Sequence, residues 1–202
     1  PHVGARPFQA GIGSLGCQHD AKLLTKAIEK TLFGLSGAIF PISVGLLFFV
    51  SPLVSLIPKY GKWEPALVSF YLFVFSSALA ALATPLMNAL NAMGKIRTTL
   101  KFMVGWTIST WVLVVTLIRL FGFNGVAVAL LIVSMSLFIV VRVAKSVTSF
   151  SFLENTKGPF IASAVQALFY ALVIPFVPVT LPWLFMAGSI GVILYGASLS
   201  VI

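Results

Sequence analysis

The sequence predicts an all-α, polytopic membrane protein with about six transmembrane helices, on three observations. Hydrophobic residues make up 59% of the 202 and charged residues only 8%, against roughly 25% charged in an ordinary soluble domain. Six apolar runs each approach the ~20 residues that a helix needs to cross ~30 Å of hydrocarbon. The runs are continuously apolar and do not alternate with period two, which argues against the strands of a membrane barrel. A water-soluble chain with so large a core is excluded too, because a domain of this size still exposes much of its surface.

Residues 1–31 precede the first run and are expected to form a cytoplasmic link. Within it Asp20 can cap a short helix reaching about Lys30, with Leu23, Leu24, Ala27 and Ile28 on one side and Lys22, Lys26 and Lys30 recurring at i, i+4, i+8. Two readings fit: a helix lying on anionic lipid at the inner membrane surface, or a connector that keeps its charges wet. The chain opens on Pro1, and its first 20 residues are not a basic segment followed by an apolar run. They are therefore no signal peptide, and the chain is expected to be a piece of a longer protein.

The predicted spans are Leu32–Ile57, Ala66–Leu90, Phe102–Leu120, Gly125–Val141, Phe160–Val177 and Trp183–Ile202. Four of them fill residues 32–143, a cytoplasmic loop takes 144–159, and two further spans take 160–202. The last two are joined by a turn from Pro178 to Pro182 that holds no charge.

Basic residues set the expected orientation. The N-terminal segment holds Arg6, Lys22, Lys26 and Lys30, the second loop Lys95, Arg97 and Lys101, and the fourth Arg142, Lys145 and Lys157. The alternate loops hold only Lys59, Lys62 and Arg119, a division of ten against three. This places the N-terminus, the second and fourth loops and the C-terminus in the cytoplasm of a cell-membrane protein. Tyr60, Trp63 and Trp183 then suit an outer interfacial belt. The net charge of +9 is accounted for by these loops, and no basic stripe interleaved with aromatics points to nucleic acid.

Chemistry-bearing motifs are few. Gly11, Gly13 and Gly16 spell GxGxxG, but no βαβ unit surrounds them and Asp20 is too close for the ribose role. Gly34-Leu35-Ser36-Gly37 has the GxSG form of an intramembrane serine protease. His2 and His19 precede the first span, and no Lys inside one replaces them as base, so small residues that let helices pack closely are the better reading. Asp20, Glu29, Glu64 and Glu154 all fall outside the predicted spans, which leaves no intramembrane proton relay. With one cysteine, Cys17, there is no disulfide or cysteine metal cluster within the chain. No enzyme, metal or cofactor is expected.

The polar residues inside spans are the candidate site. Asn88 and Asn91 lie three apart, on one helix face; Gln166 sits in the fifth span and Arg119 at the outer end of the third. They line a substrate cavity, or else the amides bond between helices and Arg119 snorkels to the interface. Pro41, Pro52, Pro85 and Pro175 each free a backbone carbonyl, and Pro41 and Pro85 are the hinge candidates.

The segments Pro41-Ile42-Ser43-Val44-Gly45-Leu46, Ser51-Pro52-Leu53-Val54 and Tyr60-Gly61, then Ala89-Leu90-Asn91-Ala92-Met93-Gly94-Lys95, then Phe121-Gly122-Phe123-Asn124-Gly125-Val126-Ala127-Val128-Ala129 resemble, in order, the polysaccharide-exporting flippases of the multidrug/oligosaccharidyl-lipid/polysaccharide superfamily. Gly13-Ser14-Leu15, followed by Asp20 and a Lys-rich helix, is similar to the cytoplasmic link before that pattern. The resemblance covers about residues 10–145, and the last two spans match only as the extra pair of fourteen-helix members. It implies movement of lipid-linked oligosaccharides between leaflets by alternating access of two helical lobes. It further implies that an N-terminal lobe, with the main phosphate-binding charges, lies outside this chain. An exporter of small solutes from the same superfamily and a non-transporting membrane scaffold are the alternatives.

Overall fold

A computed structural model describes residues 7–57, 60–176, 178 and 180–201, with side chains described at 23–57, 61–176, 178 and 180–201. The described residues are almost wholly helical, with no strand among them. Seven α-helices, α1 (Pro7–Leu56), α2 (Leu67–Ala92), α3 (Ile96–Phe121), α4 (Asn124–Ser134), α5 (Leu137–Lys145), α6 (Phe152–Val173) and α7 (Leu181–Val201), are joined with 3-10 segments at Tyr60–Ala66 and Ile174–Phe176. Six stretches are long and apolar enough to cross a membrane: Leu23–Leu56, Gly61–Ala92, Ile96–Phe121, Asn124–Lys145, Phe152–Phe176 and Leu181–Val201.

The expected break between a surface helix and the first span is absent. α1 runs unbroken from Pro7 to Leu56, so Asp20 lies inside it and does not begin it. Between Leu23 and Leu32 there is neither Gly nor Pro, and Leu, Lys, Ala and Glu are strong helix formers, so nothing stops the helix there. The Gly11–Gly16 spacing falls in the part of α1 whose side chains are outside the described residues. α3 and α6 likewise begin earlier than their apolar runs, at Ile96 and Phe152, and take Arg97, Lys101, Glu154 and Lys157 into their first two turns. Charged side chains near a helix end can reach the interface while their stems stay in lipid.

Turn chemistry reverses the chain where the sequence places glycine. After α2, Lys95 N–H donates to the Leu90 carbonyl (2.9 Å) and Gly94 N–H to that of Asn91 (3.0 Å). This Schellman pair needs a left-handed residue, supplied by Gly94 at φ +74°. After α3, Gly122 takes a positive φ of +59° without such a pair, and Gly125 lies so close to α3 that a Cβ there would overlap the Leu117 carbonyl.

Long-range contacts sort the helix ends into two sets. At one end Ser151 N–H donates to Glu29 Oε1 (3.1 Å) and Thr148 Oγ1 to Met93 Sδ (2.9 Å). At the other, Ser69 Oγ donates to Asn124 Oδ1 (2.5 Å). Alternate connections thus share an end, as the ten-to-three charge division requires. The main core lies toward the first end, where Ile28 and Leu32 of α1 meet Leu82, Leu86 and Leu90 of α2 and Leu137, Val140 and Ala144 of α5. α1 packs on α2 and also, most extensively, on α6. It therefore stands between α2–α5 and the α6–α7 hairpin.

Candidate functional site: a polar cleft between α2 and α3

α2 and α3 are joined by a tight turn, yet α3 packs mainly on α4 and little on α2. Only Thr99 of α3 is fully buried. The gap between the two helices, floored by α4 and α5, is an open-sided cleft of about 510 Å³. Its α2 wall carries Ser76, Ser77, Thr84, Asn88 and Asn91, and its α3 wall Met103 and Trp106. Ser77, Thr84, Asn88 and Asn91 recur at helical spacing along one exposed stripe of α2.

The polar groups of the cleft divide by what they already bond. Ser76 Oγ donates to the Phe73 carbonyl (3.0 Å), Thr84 Oγ1 to that of Ala80 (3.2 Å) and Ser134 Oγ to that of Leu131 (2.8 Å). These hydroxyls serve their own helices. The Asn88 and Asn91 side chains make no hydrogen bond to a described residue. Each presents two donors and an acceptor to the cleft. Among the described residues, no Lys, Arg, Asp or Glu lines it.

The floor of the cleft is an interrupted helix. Between α4 and α5, Ser136 N–H donates to the Val133 carbonyl (3.0 Å), Phe138 N–H to that of Met135 (3.2 Å) and Ile139 N–H to that of Ser136 (2.9 Å). These are three-residue closures that tighten the turn. Trp106 Nε1 donates to Ser136 Oγ (2.6 Å) at this point, so the indole joins the break to the α3 wall. Neither the break nor Trp106 was expected from the sequence. Residues 126–145 contain no Gly or Pro, and the available signal was Ser134 and Ser136 flanking Met135 inside an apolar run.

Of the four predicted site residues, Asn88 and Asn91 come together in the cleft. Arg119 is elsewhere, exposed in the last turn of α3 at the opposite end of the bundle. Gln166 is fully buried in α6 and donates through Nε2 to Tyr170 Oη (3.1 Å), which donates in turn to the Gly188 carbonyl (3.2 Å). The Nε2 bond is to a neighbour one turn on in the same helix, and the amide Oε1 is buried with no partner among the described residues. α1 and α2 continue without interruption through the hinge candidates Pro41 and Pro85.

A second cavity, about 610 Å³, lies between α1 and α7 and is lined by apolar residues such as Phe49, Leu53, Leu184 and Phe185. Its one hydroxyl, Ser189 Oγ, donates to the Phe185 carbonyl (2.9 Å) within α7. No protein-family model matches the chain, and no curated protein and no solved structure matches it.

Proposed function

We propose that this chain is part of a transporter that carries a polar-headed lipid, a lipid-linked oligosaccharide, across the cell membrane by alternating access. The observation that carries the reading is the α2 stripe. Two asparagines whose side chains have no partner among the described residues open onto a cleft walled by apolar helices. A face of this kind is costly against lipid and suits a wet cavity or a passing polar group. The motif resemblance supplies the substrate class. In this reading the basic ends of α3 and α5 face the cytoplasm, the headgroup enters beside Asn91, and the lipid tail stays in the bilayer. A lobe outside this chain completes the cavity and supplies the charge that holds the diphosphate.

The uncharged lining, with Met103 and Trp106 facing α2, favours export of a small apolar solute as a second reading. Asn91→Ala in the full protein separates the cases. A flippase loses export of its glycan lipid by about tenfold at unchanged membrane abundance, as expected for one or two lost hydrogen bonds. Unchanged glycan export would reject the reading, and lost abundance alone would make Asn91 a packing residue.

A further inference from the structure

The α2–α3 turn, the α5–α6 connection and the Glu29 stretch of α1 gather at the end of the bundle where Glu29 meets Ser151 and Thr148 meets Met93. Their cations include Lys26 and Lys30 of α1, Lys95 and Arg97 at the start of α3, and Arg142 and Lys145 at the end of α5, all exposed. The carboxylates at this end among the described residues are Glu29 and Glu154. Glu29 is half-buried and already accepts the Ser151 N–H. The opposite end presents Lys62 and Arg119 against Glu64.

Orientation in the membrane asks only that cations lie between spans. Here two tertiary bonds draw the α2–α3 turn, the α5–α6 connection and α1 together at one end, so that their charges form one rim, on which anionic groups within about a Debye length, ~8–10 Å, can act. Each side of the rim also pairs cations with exposed apolar side chains. Ile96 and Leu100, 64% and 58% exposed, flank Arg97; Phe138 and Ile139, 64% and 58% exposed, lie one turn before Arg142. A cation beside an unpartnered apolar helix face matches a phosphate joined to an acyl chain better than a free anion.

We infer that this rim is a binding surface for anionic phospholipids, with the phosphate headgroup held by Lys95–Arg97 on one side and Arg142–Lys145 on the other. The inference does not rest on the transport reading, because it requires only a membrane-embedded bundle.

The test uses the full protein reconstituted in vesicles of equal phosphatidylglycerol and phosphatidylcholine, with retained lipid counted by native mass spectrometry. Phosphatidylglycerol is retained in preference, by up to about fivefold for each cation engaged, since each Lys or Arg near an anionic surface contributes about 1 kcal/mol. K95Q/R97Q and R142Q/K145Q each lower that preference severalfold, whereas K62Q/R119Q at the other end leaves it unchanged. Equal retention of the two lipids overturns the inference, as does an equal loss in K62Q/R119Q. Displacement of the lipid by inorganic phosphate or pyrophosphate at low millimolar concentration also overturns it, and assigns the rim to free phosphate. Where a variant fails to insert, salt titration of the wild type decides: the preference disappears between about 0.1 and about 1 M salt, and a salt-independent preference rejects the rim as its source.

Discussion

Tyr195 Oη donates a 2.8 Å hydrogen bond to the carbonyl of Gly37. Four residues on from Gly37 is Pro41, which has no N–H and so leaves this carbonyl without its helical partner. α7 therefore supplies from outside the bond that α1 cannot make for itself. Gly37 has no side chain to obstruct the approach, and even a Cβ there would stand 3.8 Å from the hydroxyl. Tyr195→Phe removes the donor alone, and interhelical bonds of this kind contribute about 0.6–1.7 kcal/mol in membranes. Pro41→Ala restores the internal bond. In a double-mutant cycle read by reversible unfolding in mixed micelles, Tyr195→Phe should cost little once Pro41→Ala is present. Equal costs in both backgrounds would mean that the hydroxyl acts elsewhere.

Tyr170 seats α6 against α7 among Phe48, Phe49 and Phe169, with ring centroids 5.8, 5.0 and 5.8 Å away. A Cβ on Gly191 would overlap its ring. Gly191→Ala should destabilise by about 1–3 kcal/mol through overpacking, and Tyr170→Ala in the same chain should recover part of that loss. The measurement is the unfolding midpoint of the two single variants and the double variant.

The α4–α5 interruption accepts a hydrogen bond from a side chain of another helix. Trp106→Phe keeps an aromatic wall but removes the donor to Ser136. A lost bond of about 1 kcal/mol should speed hydrogen exchange of the Ser136–Val140 amides about fivefold while α3 amides stay protected. Unchanged exchange there would show that the two serines suffice to interrupt the helix.

Thr98 and Gly61 belong to opposite ends of the bundle. In a Cys17→Ser background, Gly61→Cys should react with an impermeant thiol reagent applied to intact cells, and Thr98→Cys only after permeabilisation. The reverse pattern would invert the orientation that the basic residues suggest.

Fold class was legible because it rests on composition and on runs of apolar residues, which local sequence carries in full. Helix starts were less so. Arg97, Lys101, Glu154 and Lys157 argued for loops, yet a helix end tolerates charges that can reach the interface, and α3 and α6 extend through them. Asn88 and Asn91 could be placed on one face from spacing alone. That Gln166 is buried and bonded to Tyr170 could not, because Tyr170 is itself held by an acceptor on α7, the Gly188 carbonyl. The Ser136 break has the same origin: its partner, Trp106, is 30 residues away.

The bond from Tyr195 to Gly37 spans 158 residues of chain, and that separation is also an interval of time. A ribosome adding about 5–20 residues per second needs roughly 8–30 s to pass from one to the other. Throughout that interval the proline-freed carbonyl of α1 has no donor from its own helix, and lipid offers none. Newly made α1 is thus a provisional helix, open to bending at Pro41 or to borrowing a donor from another membrane protein. α7, made 158 residues later, closes it, so the arrival of the later helix is recorded within the earlier one.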